Sequence, residues 1–179
     1  LKILKVLYLF EDSIKINYMN VYNQIPKSGK FLGIDYGAKK VGIAISDPLR
    51  IFASPYDTII FNSQKKLLKE IEKIIINESI VFVVIGLPIG MNGKETLQTK
   101  EVNEFIDIFK QYNKLPFSTV DERLTSIQAM KLLSDQGIKY SKNKSLIDST
   151  AASIILQTFL DSINWLLIIK LSYQSYPQF

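Results

Sequence analysis

The sequence predicts an α/β domain built on a mixed sheet, and three observations carry that expectation. The first third holds short β-branched segments separated by turn residues. Two later segments space their apolar residues as amphipathic helices do, and a uniformly apolar stretch, residues 80–85, lies between them. Strands in succession followed by alternating helix and strand describe a three-strand antiparallel meander plus two parallel strands, flanked by helices. With 179 residues, 47% hydrophobic and 22% charged, the chain has enough apolar material for one domain with a substantial core.

The elements follow in order. Residues 31–36 and 41–46 make a hairpin about the turn Gly37-Ala38-Lys39-Lys40, and 57–61 continues the meander. Ser63 starts a helix in which Leu67, Leu68, Ile71, Ile74 and Ile75 form one buried face. Residues 80–85 read as a central strand covered on both faces, broken by Gly86-Leu87-Pro88, with 90–93 continuing as a loop. Residues 97–112 repeat the helical pattern through Val102, Phe105, Ile106 and Phe109, and 117–121 form a short strand after Pro116. Thr125 and Gln128 suit a capping box for a helix that Gly137 ends. A polar, Lys-rich loop over 138–144 and a last core helix over 145–161 complete the order. Beyond Asp161, Trp165 and the apolar run 166–169 read either as an added helix or as a poorly ordered tail.

Composition excludes whole classes of chemistry. Without Cys there are no disulfides, thiolate zinc sites or thiol nucleophiles. Without His, acid-base work falls to carboxylates, Lys, Tyr or metal-activated water. The 22 Lys and Arg outnumber the 17 Asp and Glu, and the net charge of +5 suits a polyanionic partner. Between 123 and 145 the excess is local: Arg123, Lys131, Lys139, Lys142 and Lys144 face only Asp135, a candidate phosphate-facing patch or a solvated helix face. The apolar segments 1–10 and 163–171 fall well short of the roughly 20 residues that span a bilayer, so no membrane partner is expected. The first also lacks the small-residue cleavage site of a secretory signal.

Three acidic positions stand out. Asp35 sits inside an apolar strand between Gly33 and Gly37, where a charge demands a cation unless it only caps the turn. The Gly-x-Asp-x-Gly pattern also occurs as a phosphate-binding hairpin in actin-like kinases, but that architecture pairs two such domains and this chain has length for one. Asp121 and Glu122 end a strand; either could ligate a metal, or pair with Arg123. Strand phase decides between them, with Glu122 favoured and Asp121 in reserve. Asp148 shares a helical face with Ala152, Ile155 and Phe159, an apolar face apart from the acid, although Ser145 and Asp148 also fit a capping box. Three carboxylates on separate elements suit Mg²⁺, which takes one or two carboxylates plus waters and substrate phosphates. A pair of such ions would activate water on one side of a phosphodiester and stabilise the leaving oxygen on the other.

The run from Gly33 through Asp35, Gly37, Gly42, Ala44 and Ser46 to Asp47 resembles the first block of the YqgF/RuvX family. Further blocks resemble it in order: Gly86-Leu87-Pro88 with Met91-Asn92-Gly93, then Asp121-Glu122-Arg123-Leu124-Thr125, then Lys142 and Lys144 before Asp148, and Ile155-Leu156-Gln157. The resemblance spans about residues 31–161 and implies an RNase H-like fold. It implies a cytoplasmic, Mg²⁺-dependent nuclease, with Mn²⁺ as a substitute, that matures the 5′ end of pre-16S ribosomal RNA. Ribosomal precursor particles would be partners, and some members have been described as Holliday-junction resolvases acting on DNA. Carried over by residue, the metal-binding and catalytic acids fall on Asp35, Glu122 and Asp148, with Lys39, Lys40, Arg123, Lys142 and Lys144 as phosphate contacts. Three departures stand out: Asn92 replaces a common Asp, Thr96 a common Gly, and Lys40 a common Arg, which loses the bidentate fork.

The expected organisation is an N-terminal extension over 1–30, a nuclease domain over 31–161 and a C-terminal tail over 162–179. Met19 lies inside the extension, and translation is expected to start there, leaving 1–18 outside the native product. Against the nuclease stands a non-catalytic nucleic-acid-binding module that keeps the basic patch without turnover. The sequence does not choose between RNA and a four-way DNA junction as substrate, and it leaves the oligomeric state open.

Overall fold

The computed structural model describes residues 24–123 and 144–174, with side chains over 24–123 and 149–165. Strands β1 (Lys30–Tyr36), β2 (Lys40–Ser46) and β3 (Ala53–Ile60) are followed by helix α1 (Gln64–Asn77), strand β4 (Ile80–Leu87), helix α2 (Leu97–Tyr112), strand β5 (Phe117–Asp121) and helix α3 (Lys144–Gln174). The five strands form one sheet in the order β3-β2-β1-β4-β5. β1 pairs antiparallel with β2 and β2 with β3, while β4 runs parallel to both β1 and β5. The mixed sheet of a meander plus two parallel strands is therefore observed.

Strand alternation sorts the core into two layers. Leu32, Ile34 and Tyr36 of β1, with Val83 and Ile85 of β4, pack under the buried stripes of α1 and α2. Phe31, Phe82, Val84 and Val120 face the opposite way and pack under Ala152, Ile155, Leu156 and Phe159 of α3. The Phe82 and Phe159 rings stack with centroids 5.5 Å apart, and Phe31 lies 5.0 Å from Phe82. Each layer is apolar on its inner side, so the two central strands lose polar positions almost entirely.

The helix starts follow local chemistry. Ser63 caps α1 through its hydroxyl and the Lys66 amide, and Thr96 caps α2 in a reciprocal box with Thr99. Thr96, which departs from the common Gly, thus serves as the N-cap of α2.

Three expectations need correction. β3 begins at Ala53, four residues before the predicted 57, because it is an edge strand whose side chains are mostly exposed and whose Pro55 is tolerated there. The ladder accommodates Pro55 opposite Ala44, at a register shift after Ile43. Gly86 does not break β4; it pairs with Val120 inside the ladder, and the strand continues to Leu87. Finally, α3 does not end at Asp161 but continues as helix to Gln174. The helix predicted from Thr125 to Gly137 and the loop over 138–143 lie outside the described residues.

α3 is fixed to the sheet at close range. A Cβ on Gly33 would stand 2.8 Å from Leu156 Cβ and 2.9 Å from the Ala152 carbonyl oxygen, so only a glycine lets the helix approach β1 this closely. Gln157 clamps the same helix to the β2–β3 turn, accepting from the Ala53 amide at 2.8 Å and donating to the Ile51 carbonyl at 2.9 Å. Asp47 organises that turn by accepting from the Ile51 and Phe52 amides, both at 2.7 Å.

Candidate active site

Asp35 lies near the C-terminal end of β1, half-buried, opposite Gly42 of β2. By alternation it shares the α3 side of the sheet with Phe31 and Gly33. Lys40 starts β2 in phase with Gly42 and Ala44 and so stands on the same side, while Lys39 is exposed in the turn. A backbone bond from the Gly37 amide to the Lys40 carbonyl closes that turn at 3.0 Å.

The phase of β5 separates the two adjacent acids. Val120 faces α3, so Glu122, two residues on, faces the same way, and its amide extends the parallel ladder by donating to the Leu87 carbonyl at 3.2 Å. Glu122 runs over Gly86: a Cβ there would stand 2.6 Å from Glu122 Oε1 and 2.6 Å from Ile155 Cδ1. The glycine that interrupts the apolar run of β4 is thus the clearance that admits the carboxylate between sheet and helix. Burial first, and then the charges of Asp35 and Asp121, push the Glu122 carboxyl up to about 7. The Asp35 charge therefore reaches Glu122, although β4 separates their strands.

Asp121 has a different partner. The Arg123 Nε donates to both of its oxygens at 3.0 Å, and the Arg123 amide donates to Oδ1 at 3.0 Å. These side-chain bonds hold the Asp121 carboxyl below the usual carboxylate range despite partial burial. Arg123, expected as a phosphate contact, is thus engaged by its own neighbour.

The third acid enters through the backbone of α3. Phe159 lies over Phe31, and Leu156 and Ala152 lie over Gly33, so moving toward the N-terminus of α3 follows β1 toward Asp35. Residue 148 is one turn before Ala152 in the same helix. The side chains of Asp148 and Lys144, and all of Lys142, lie outside the described residues, as does most of the basic segment 124–143. Among the described residues no group of three or more His, Cys, Asp or Glu is placed to hold a metal ion, and none of the helices is long and apolar enough to cross a membrane.

Sequence reasoning missed the 88–96 loop as a structured part of this region. The Gly90 amide donates to the Lys94 carbonyl at 2.9 Å, the Gly93 amide to the Gly90 carbonyl at 2.7 Å, and Asn92 Oδ1 accepts from the Lys94 amide at 3.1 Å. Gly93 has φ +77°, a left-handed conformation that favours glycine, and a Cβ there would lie 3.7 Å from Arg123 Nη1. Asn92 thus supplies the oxygen acceptor that an Asp would. The Met91-Asn92-Gly93 pattern was the available signal.

Comparison with known proteins agrees with this architecture. The family model described as RuvX, Holliday junction resolvase, matches residues 29–162. A protein of Endomicrobium trichonymphae named "Putative pre-16S rRNA nuclease" is 44% identical over 133 residues, covering 74% of this chain and 95% of its own. One of the same name from Rickettsia canadensis is 39% identical over 147 residues, covering 82% and 96%. Among solved structures, T. thermophilus RuvC in complex with a Holliday junction substrate superposes with a TM-score of 0.51 at 11% identity, covering 75% of this chain and 94% of that one. The yeast mitochondrial Holliday junction resolvase superposes with a TM-score of 0.51 at 11% identity, covering 84% and 85%. Those likenesses bear out the RNase H-like fold. From the match across the whole folded core and the 44% identity over most of the chain, the protein belongs to the RuvX family.

Proposed function

We propose that this protein is a divalent-metal-dependent endonuclease that hydrolyses phosphodiester bonds, with the 5′ end of pre-16S rRNA as its substrate. The observation that carries the reading is Glu122, laid over Gly86 on Asp35's side of the sheet with its carboxyl pushed up to about 7. A carboxyl raised by burial and by two neighbouring acids loses that repulsion when a divalent cation joins them, which suits the oxygen ligands Mg²⁺ takes. Asp35, Glu122 and Asp148 would hold Mg²⁺, with Mn²⁺ as a substitute. When bound, the metal supplies charge neutralisation at the phosphate and activation of water.

The chain's own groups do the rest. Glu122 gives up its proton as the cation is taken, which makes loading easier as pH rises. Lys39 and Lys40, at the hairpin beside Asp35, meet the phosphates of the substrate strand, joined by Lys142 and Lys144. Arg123 has five N–H donors, so it can serve a phosphate while still held by Asp121. Relatives named for pre-16S rRNA favour RNA, and the cytoplasm, where ribosomal precursors are processed, is the proposed location.

A second reading, resolution of a four-way DNA junction, is favoured by the description of the family model. The test is a side-by-side cleavage assay on pre-16S rRNA and a Holliday junction, with wild type and Asp35→Asn, in Mg²⁺ and in EDTA. Cleavage of the RNA by wild type in Mg²⁺ alone is expected. Cleavage of the junction only would favour the second reading, and salt-sensitive binding without cleavage of either would leave a non-catalytic binding module.

A further inference from the structure

The site described above leaves one nearby side chain without a task. Met91 is 93% exposed at the tip of the 90–94 turn. A single exposed apolar residue is ordinary on a protein surface and by itself means nothing. Here two further facts distinguish it. The turn that carries it is held by the three hydrogen bonds of its own backbone and Asn92, and its stem is pinned where Thr99 Oγ1 donates to the Pro88 carbonyl and Ile89 bridges to Glu95. Such a backbone presents the side chain from a fixed place, so contact orders the Met91 rotamers without also having to order the loop. The place is also specific: the turn's Gly93 approaches Arg123, the neighbour of Glu122, and Met91 lies two residues away, within about 7 Å of chain.

A nucleic acid strand entering this site brings phosphates to the acids and lysines, and its bases must lie to one side. An unbranched thioether fills irregular gaps and packs favourably against aromatic rings. In a continuous duplex the base faces are covered by their neighbours. A rigid apolar tip can meet such a face only where the base is unpaired or leaves its stack.

Resting on the nuclease reading, we propose that Met91 packs against an unpaired nucleobase beside the scissile phosphate, making the 90–94 turn the element that selects single-stranded over paired substrate. Met91 is then a specificity-determining contact rather than a residue that positions the acids.

The test uses the full chain and a single-stranded RNA carrying 2-aminopurine next to the scissile phosphate, with the same RNA paired into a duplex as control. Binding is followed in Ca²⁺ by 2-aminopurine fluorescence and cleavage separately in Mg²⁺. Met91→Ala is expected to weaken single-strand binding by about fivefold, within the range for loss of a thioether–aromatic contact, and to leave duplex binding unchanged. Met91→Leu is expected to stay within about twofold of wild type. Because Met91 is exposed, its truncation removes no packing from the core. Equal binding by Met91→Ala and wild type, or an equal loss on strand and duplex, overturns the proposal. If the strand-specific loss appears but wild type cleaves nothing in Mg²⁺, the base contact stands and the nuclease reading falls. If wild type cleaves and Met91→Ala discriminates as wild type does, the opposite holds.

Discussion

Gly86→Ala is a direct probe of how the site is packed. The added methyl would start 2.6 Å from Glu122 Oε1 and 2.6 Å from Ile155 Cδ1, where ordinary contact begins near 3.4 Å. Both obstacles are the far ends of flexible side chains, so each retreats by about 1 Å while the backbone stays in place. Overpacking of this kind costs about 1–3 kcal/mol, and the lower part of that range is expected. The catalytic consequence is larger, because about 1 Å of misplacement can cost on the order of 100-fold in rate. Gly33→Ala is the contrasting variant: its methyl meets Leu156 Cβ at 2.8 Å and the Ala152 carbonyl at 2.9 Å, atoms that move only with the α3 backbone. Urea unfolding in EDTA and single-turnover cleavage in Mg²⁺ report the two quantities separately. Gly86→Ala should lose most of its rate and little stability, whereas Gly33→Ala should lose clearly more stability than Gly86→Ala. A Gly86→Ala enzyme that folds and cuts within threefold of wild type would refute the placement of Glu122 over Gly86 as a requirement for activity.

Other outcomes follow from the same geometry. In metal-free protein the raised Glu122 pKa makes the folded state hold a proton that the unfolded chain releases. Its contribution is therefore fully present below about 4.5 and lost as pH climbs to about 7, a decline of at most about 3 kcal/mol. Glu122→Gln should flatten that decline in urea melts in EDTA from pH 4.5 to 8, while abolishing cleavage. Asp35→Asn removes one of the charges that raise Glu122, so the Glu122 carboxyl should titrate lower by ¹³C NMR, and cleavage should disappear with the fold intact. Mg²⁺ should raise the thermal midpoint of wild type but not of Glu122→Gln, and EDTA should reverse the shift. Asp121→Asn weakens the hold on Arg123; a loss of cleavage beyond about tenfold would assign the pair a part in the chemistry, whereas a smaller effect is expected for a pair outside the metal shell.

What could be read in advance divides by how each residue meets its surroundings. Helices α1 and α2 were legible because their apolar stripes face the sheet and their caps are side chains of the chain itself. β3 was legible only in its second half, since an edge strand with exposed Ser54, Pro55 and Tyr56 has little apolar alternation to show. Gly86 was misread because a glycine that ends a strand and one that clears space inside it look alike in sequence. The preference for Glu122 over Asp121 follows from alternation along β5 and the Arg123 tether, which only the ladder register reveals. The Asp121 tether on Arg123 was open in the sequence as one of two uses of those acids, and only the side-chain geometry shows it formed.

The close seat of α3 on Gly33 has a consequence for synthesis. β1 is the first of the described elements to be made, and the helix that covers its acidic side is the last. A nascent chain that stops before α3 lacks the Ala152, Ile155, Leu156 and Phe159 side chains that pack over Phe31 and Phe82 on the side of Asp35. Such non-local contacts form late because their loops must close first. Closure of this side of the sheet then waits for α3, so a chain that has not yet released the helix carries no assembled site and its nuclease activity is withheld until the helix is made.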